Sequence, residues 1–145
     1  MEPFFCIHFF NLLFIYYTFF KNFIQLSRIE EFCFNKFNNK DFTFYNPRRT
    51  DWDSSWSHNS HEFNTQVDWE LDHLEKADLI IMRLIGTSTS VISMLELGLF
   101  ARSGKLKVYC ENGFWRKGNV DIVAKRYGVT LLRSEEEIIQ SILCC

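Results

Sequence analysis

Short apolar runs alternate with amphipathic stretches from Thr43 to the end of the chain. Compact apolar runs between polar turns predict strands, and apolar residues three or four positions apart predict helices. The predicted strands are 43–45, 78–82, 106–110 and 129–132. The first predicted helix carries Phe63, Val67, Leu71 and Leu74 at helical spacing, with Ser60 as its N-cap. Two more helices are predicted over 91–103 and 119–127. A last helix is capped by Ser134, with Glu137 at the spacing of a capping box. This βαβαβαβα order is typical of an α/β fold with a parallel sheet.

The first 41 residues have a different composition, because most of the 16 Phe residues of the chain lie there. Residues 4–20 form a mostly apolar run at the short limit for a membrane-spanning helix. Two interpretations stay open, a membrane anchor and an extension from AT-rich coding sequence that has replaced a first strand. A signal peptide fits less well, because Glu2 stands where positive charge is expected. We predict an atypical segment 1–41 and a domain 42–145 that folds without it.

Charge and composition narrow the range of partners. A net charge of −2 provides no basic field for a phosphate backbone, so polymeric nucleic acid is not expected as a partner. The five cysteines form no CxxC pair, and Cys110 lies in an apolar run, which favours a reduced, cytoplasmic protein unless residues 4–20 anchor it in a membrane. His58, His61 and His73 lack the partners that would complete a zinc pattern, so we predict neither a metal nor a cofactor.

Three loops follow predicted strands, at the end of a parallel sheet where ligands bind. The first, 46–53, combines guanidinium, carboxylate and indole groups, which suits a polar ligand with an aromatic ring, although a solvated turn explains it equally well. The second, 86–90, is rich in hydroxyls and leads into a helix whose free N–H groups can bind negative oxygen; ordinary N-capping is the alternative. The third, 111–119, suits phosphate or base recognition, or is simply a polar connection. The predicted substrate-binding residues in and beside these loops are Asn46, Arg48, Arg49, Asp51, Trp52, Ser90, Ser93, Gly98, Trp115, Arg116, Asn119 and Asp121.

Glu96 is the strongest candidate for chemistry. The apolar stripe of its predicted helix consists of Ile92, Leu95, Leu99 and Phe100. Glu96 lies on that stripe, where a carboxylate is costly unless it is paired or used. Gly98 should let another backbone or a ligand come close. The alternative is that Glu96 pairs with Arg48 or Arg102 and only stabilises the packing.

Taken together, these segments resemble the nucleoside 2-deoxyribosyltransferase-like family, in the branch with an Asn-Pro-Arg-Arg turn followed by a tryptophan. The resemblance runs in order through 44–56, 66–71, 77–78, 93–105 and 113–123. It implies a Rossmann-like (flavodoxin-like) three-layer α/β fold with a parallel sheet. The first strand of that fold is missing or replaced here, because nothing before Thr43 resembles it. The resemblance also implies self-association, since the family usually forms oligomers.

In that family the nucleophile is a glutamate in a Glu-x-Gly-x-x-Ala context, which Glu96-Leu-Gly-Leu-Phe-Ala101 matches. The resemblance implies a nucleoside or nucleotide substrate, attack of the carboxylate on its sugar, a covalent ester, and transfer to another base or to water. Better-known members carry an aspartate that helps to protonate the departing base at the position where Ile85 stands here. The second hypothesis is therefore a catalytically impaired nucleotide-binding module of the same fold.

Overall fold

A computed structural model of the chain describes residues 11–17, 42–45, 47 and 53–143. Within those residues, five strands form one sheet: β1 (Asn11–Tyr17), β2 (Phe42–Tyr45), β3 (Leu79–Leu84), β4 (Leu106–Cys110) and β5 (Thr130–Leu132). The helices are α1 (His61–Lys76), α2 (Val91–Phe100), α3 (Lys117–Tyr127) and α4 (Glu135–Leu143). Neighbouring strands are parallel, in the flavodoxin-like order β2-β1-β3-β4-β5. The predicted α/β fold with a parallel sheet is confirmed.

The strand that the sequence left as missing or replaced is present as β1. It lies between β2 and β3, with Asn11 opposite Phe42 and Leu13 opposite Leu79. Part of the predicted N-terminal segment therefore belongs to the sheet. Sequence reasoning did not identify this strand because a continuous apolar run has no period that distinguishes a strand from a helix.

A membrane anchor was one of the two interpretations left open for the N-terminal segment, and only residues 4–20 could provide it. Of that run the structure describes residues 11–17, which form a strand, and the rest lies outside the described residues. No helix in the described ranges combines the length and the apolar character needed to cross a membrane.

The core is built around β3, whose six residues are all buried, as in a parallel strand covered on both faces. In β4 the buried residues alternate with half-buried ones, and Cys110 ends the strand inside the core. Burial raises the pKa of the Cys110 thiol to about 11, so the thiol stays neutral and packs as the predicted small hydrophobe. Other members of the core are Leu74, Ala77, Leu97, Ala101, Phe114, Val120 and Ala124.

Most predicted helix ends agree with the structure. Gly128 ends α3 in the left-handed conformation, with φ of 74°, and the Glu137 N–H group donates to Ser134 Oγ at 3.3 Å at the start of α4. Ser60 is the N-cap of α1, although its side chain makes no capping bond to the helix. The second helix is shorter than predicted, since α2 ends at Phe100 and a turn leads on to Gly104.

The topology decides where a ligand can bind. The connections β2 to β3, β3 to β4 and β4 to β5 step in one direction across the sheet, so their right-handed crossovers place α1, α2 and α3 on one side, with α2 in the middle. The connection from β1 to β2 steps the other way. The chain order thus reverses between β1 and β3, and the carboxyl ends of these strands border the expected ligand crevice.

Candidate functional site

Glu96 lies in the second turn of α2, the helix that follows the carboxyl end of β3. The residue is 3% exposed, and Ser93, one turn earlier on the same side, is equally buried. Arg102, one of the two arginines considered as its partner, instead lies over the Tyr127 ring, with 4.7 Å between the guanidinium carbon and the ring centre. The other, Arg48, lies outside the described residues. Glu96 is thus buried on the helix that follows the carboxyl end of β3, and Arg102 packs elsewhere.

The predicted apolar stripe of α2 lies mostly on the side of the helix that faces water. Ile92, Leu95 and Leu99 are 57%, 62% and 60% exposed, so the prediction that they face the core is wrong. The side of α2 that faces the sheet carries Ser93, Glu96, Leu97 and Ala101, and Phe100 is partly buried against the core. The physical reason is that the connections to β3 and β4 orient the helix, and they place Leu97 and Ala101 on the sheet. Glu96 is buried, as expected, but not because it lies on the apolar stripe.

Gly98 does not face the same side as Glu96. Two positions along a helix correspond to a rotation of about 200°, so the two residues point in nearly opposite directions. Gly98 is exposed, and no atom lies within 4 Å of the place where a Cβ would stand. The described residues thus give no sign of the close approach predicted at this glycine.

The second loop is a tight turn that brings the start of α2 close to the end of β3. The Ser88 N–H group donates to the Ile85 carbonyl oxygen at 3.0 Å, which closes the turn. Ser90 has φ of 44° and ψ of 43°, a left-handed conformation that is costly for a residue with a Cβ and that recurs at functional sites. Its hydroxyl donates to Ser88 Oγ at 2.9 Å and makes no bond to the helix. Ordinary N-capping by the Ser90 side chain is therefore not what this loop provides.

The third loop packs against the second, as their shared position at the edge of the sheet predicts. Trp115 Nε1 donates to the Thr89 carbonyl oxygen at 2.9 Å, and the Arg116 guanidinium carbon lies 4.4 Å from the centre of the Trp115 ring. A Cβ on Gly86 would stand 3.0 Å from the Asn112 carbonyl oxygen, so only glycine fits without a shift. An exposed indole with an attached cation thus stands beside the start of α2.

Two further predicted residues lie on α3 rather than in the loop. Asn119 is exposed in its first turn, where its N–H group donates to the Arg116 carbonyl oxygen at 2.9 Å. Asp121 faces Lys117 Nζ at 3.4 Å in a local ion pair. The structure therefore gives Asp121 a partner on its own helix.

The first loop is seen only at its ends. The predicted residues Asn46, Arg48, Arg49, Asp51 and Trp52 lie outside the described residues. Pro47 is held by Gln66, a buried side chain of α1, whose Nε2 donates to the Pro47 carbonyl oxygen at 3.0 Å and to Glu70 Oε1 at 2.7 Å. Burial raises the pKa of Glu70. Sequence reasoning did not select Gln66, although it lies inside a segment that carried the resemblance.

A second residue that sequence reasoning missed is Arg83, a buried cation within β3. Its Nη2 and Nε atoms donate to Glu111 Oε1 at 2.6 and 3.0 Å, and its Nη1 lies 2.8 Å from Glu135 Oε1. The other oxygen of Glu111, Oε2, accepts the Gly86 N–H group at 3.0 Å. This network ties the second loop to β3, β4 and α4. The signal in the sequence was a basic residue inside an apolar strand, which needs carboxylate partners.

One of the three histidines considered for a metal, His73, packs against an aromatic ring. The His73 ring stacks on Trp69 at 4.1 Å between centres, and its Nδ1 atom is 2.7 Å from the Trp69 carbonyl oxygen. Among the described residues, no three His, Cys, Asp or Glu side chains are grouped so that they could hold a metal ion.

A parallel sheet of flavodoxin-like order, with a buried carboxylate on the helix that starts at its carboxyl edge, defines an α/β protein with a candidate ligand site at that edge. Residues 27–114, more than half of the chain, match the family model described as nucleoside 2-deoxyribosyltransferase like, and the chain belongs to this family. No curated protein matches the chain in a sequence comparison. Among solved structures, a conserved protein from Enterococcus faecalis V583 is similar, with a TM-score of 0.58 and 12% identity, over 92% of this chain and 98% of that chain. At that identity the similarity shows the fold alone.

Proposed function

We propose that this chain acts on the N-glycosidic bond of a nucleoside or nucleotide, with Glu96 as the nucleophile. The observation that carries the proposal is the buried carboxylate of Glu96, within the Glu-x-Gly-x-x-Ala motif, on the helix that begins at the carboxyl edge of the sheet. A carboxylate with little access to water can attack carbon without first losing a hydration shell. Membership of the family supports the same assignment.

The proposed chemistry has two steps. In the first, a Glu96 oxygen forms a bond to the anomeric carbon while the bond from that carbon to the base nitrogen breaks. The electron pair leaves with the base, which takes up a proton. In the second, a nitrogen of another base, or water, attacks the same carbon, loses a proton, and returns the bonding pair to the carboxylate. Two inversions give net retention of configuration, and the acceptor decides between transferase and hydrolase.

The surrounding residues have proposed roles in binding. Ser93 shares the buried side of α2 with Glu96, and Ser90 borders it at the N-terminus, so their hydroxyls suit the sugar. Trp115 offers a stacking face for a base, and Arg116 a cation for a phosphate. The other proposed contacts to base or phosphate are Asn46, Arg48, Arg49, Asp51, Trp52, Asn119 and Asp121.

Ile85 favours a second candidate function, a binding module with little or no turnover. It lies half-buried directly after β3, next to the turn that leads to α2. Its side chain cannot donate a proton to a departing base. In this case the chain would bind a nucleotide, and the glycosidic bond of that nucleotide would stay intact.

The decisive experiment compares the wild-type chain with Glu96→Gln, which keeps the shape of the side chain but cannot form a stable sugar ester. Incubation with purine and pyrimidine deoxynucleosides and their 5′-phosphates, followed by chromatography, measures the release of base. Intact-mass analysis should show a sugar adduct on the wild-type chain and none on the variant. Glu75→Gln, an exposed carboxylate on α1, is the matched control and should behave as wild type.

The results of this experiment distinguish the glycosyl-transfer enzyme from the binding module. Release of base by the wild-type chain and by Glu75→Gln, but not by Glu96→Gln, supports the proposal. Release by Glu96→Gln at the wild-type rate would show that Glu96 is structural. Saturable binding of a nucleotide with no release of base would favour the binding module.

A further inference from the structure

Gln66 is a polar side chain at a fully buried position of helix α1. It is 1% exposed and lies two turns before Leu74, the other buried residue of this helix. Positions 66, 70 and 74 are each four residues apart, so they follow the same side of the helix. A helix that covers a sheet normally presents apolar residues on that side. The amide at position 66 therefore needs an explanation other than packing.

The hydrogen bonds of the Gln66 amide show that stability alone does not explain it. Its Nε2 atom donates to the Pro47 carbonyl oxygen at 3.0 Å and to Glu70 Oε1 at 2.7 Å. Its buried Oε1 atom has no hydrogen-bond partner within the described part of the chain, and an unpaired buried acceptor costs stability. Pro47 and Glu70 are only half-buried, so water could bind to their oxygens if Gln66 were replaced by an apolar residue.

Glu70 fixes the orientation of the Gln66 amide. An ionised carboxylate can only accept hydrogen bonds, and so can the Pro47 carbonyl group. The NH₂ group of Gln66 must therefore face both of them, because the opposite orientation would set Gln66 Oε1 against another acceptor. The pair of residues four positions apart on α1 thus holds a donor toward Pro47.

The contact with Pro47 lies at the carboxyl edge of the sheet. Pro47 follows Tyr45, the last residue of β2, by two positions. The Tyr45 ring also packs against α1, with its centre 4.1 Å from that of His73 and 6.0 Å from that of Trp69, edge-on in both cases. Helix α1 therefore holds the chain at two successive points, the end of β2 and Pro47. Because ligands bind at this edge of a parallel sheet, the second point of attachment lies beside the candidate site.

We propose that Gln66 is a positioning residue for the ligand site, which holds the Pro47 carbonyl group and so fixes the main chain between Asn46 and Arg48. The inference rests on the proposed function, because that function takes Asn46 and Arg48 as contacts to the substrate. Gln66 itself does not touch the ligand and acts through the main chain. Contacts that are fixed in advance lose less entropy on binding, so removal of this attachment should weaken binding.

The first test needs no ligand. Gln66→Met keeps the approximate length of the side chain and removes both donors, and Gln140→Met makes the same change at an exposed position of α4. Trypsin under native conditions cleaves after Arg48 and Arg49, and this rate is compared with cleavage after the exposed Arg133 of the same chain. We expect the relative rate to rise several-fold in Gln66→Met and to stay unchanged in Gln140→Met. Equal relative rates in Gln66→Met and wild type would overturn the proposed attachment.

The second test measures affinity. On the Glu96→Gln background, which cannot form the sugar ester, calorimetry gives the Kd for 2′-deoxyadenosine and for its 5′-phosphate. Gln66→Met should raise the Kd about tenfold, the effect of one lost hydrogen bond of ordinary strength. With Glu96 present, KM should rise by a similar factor, and kcat should change by less than about threefold. A Gln66→Met chain that is folded by circular dichroism and has the control affinity would show that Gln66 only joins α1 to the chain after β2, which would overturn the positioning role.

An exchange of two side chains separates the contact to Pro47 from the pair within α1. Gln66→Glu sets two carboxylates four positions apart and turns an acceptor toward the Pro47 carbonyl group. Gln66→Glu with Glu70→Gln restores a donor and an acceptor within the pair but leaves no donor at position 66. The double variant should therefore regain thermal stability over Gln66→Glu and keep both the raised Kd and the faster cleavage. Wild-type affinity and cleavage in the double variant would overturn the proposal, because the pair within α1 would then be sufficient.

Failure of the proposed function gives a different result from failure of this inference. A wild-type chain that binds neither ligand would overturn the proposed function, and with it the role of Gln66 in affinity. A wild-type chain that binds the nucleotide, together with Gln66→Met chains of unchanged cleavage and unchanged Kd, would leave the proposed function standing and overturn the role of Gln66 alone.

Discussion

Glu111→Gln should destabilise the fold and loosen the second loop, although the side chain keeps its length. The carboxylate has two functions at once: Oε1 accepts two hydrogen bonds from the buried Arg83 guanidinium, and Oε2 accepts the Gly86 N–H group at 3.0 Å. An amide offers one acceptor oxygen and an NH₂ group that can only donate. If its oxygen takes the guanidinium, its NH₂ group faces the Gly86 N–H group, and two donors meet.

The size of the destabilisation depends on which partners Arg83 keeps in the variant. Arg83 keeps Glu135, whose Oε1 lies 2.8 Å from Nη1, so the cation is not stripped of its partners and the full penalty of about 3–5 kcal/mol for a broken buried ion pair does not apply. One weakened charge-assisted bond and one unsatisfied backbone N–H group together cost about 2 kcal/mol. In a domain with a free energy of unfolding of about 5–15 kcal/mol, this is a large fraction. It corresponds to a fall in Tm of about 5 °C.

Urea unfolding of the variant, with an unchanged m value, measures the loss in stability, and hydrogen exchange at the Gly86 amide reports the loop directly. Asp72→Asn is the matched control, because its carboxylate lies 3.6 Å from Lys76 in an exposed pair worth less than about 0.5 kcal/mol. Arg83→Met combined with Glu111→Gln should cost less than the sum of the two single changes, since no buried cation remains. A Glu111→Gln chain as stable as the control, with wild-type exchange at Gly86, would refute this account of the network.

Three further predictions concern other parts of the chain. Deletion of residues 1–20 removes β1, which pairs with β2 and β3, so we expect an aggregated or unfolded product by centrifugation and circular dichroism; a soluble product with the wild-type spectrum would contradict this. The pKa of the Cys110 thiol is about 11 in the folded chain, above its ordinary value of 9.0, so the thiol holds its proton more tightly in the fold. The stabilisation that the Cys110 thiol contributes should therefore be constant below pH 9 and decline between pH 9 and 11. The difference in urea midpoint between wild type and Cys110→Ala should shrink over that pH range. A constant difference would contradict the raised pKa of the thiol. Ile85→Asp should raise the release of poor leaving bases, by part of the roughly 10²- to 10⁴-fold effect of a general acid, as measured by chromatography; equal rates in both chains would show that another group supplies the proton.

Much of the fold could be predicted from the sequence, because the signals for it are local. The buried run of β3, the glycine that ends α3 and the Ser134–Glu137 start of α4 all depend on neighbours a few positions away. The motif around Glu96 is local in the same sense, and it identified the carboxylate that the structure buries.

Other features depend on residues that are distant in the sequence. Only the tertiary structure decided these features. The run Asn11–Tyr17 is a strand because β2 and β3 supply its partners, and nothing within the run specifies them. The outward side of α2 is set by its connections to β3 and β4, so an apolar stripe was assigned to the core although it faces water. Arg83 is tolerated in a buried strand because Glu111 and Glu135, far along the chain, bring carboxylates to it. Periodicity shows that a helix has two unlike sides, but the side that meets the sheet is decided by the packing of the whole domain.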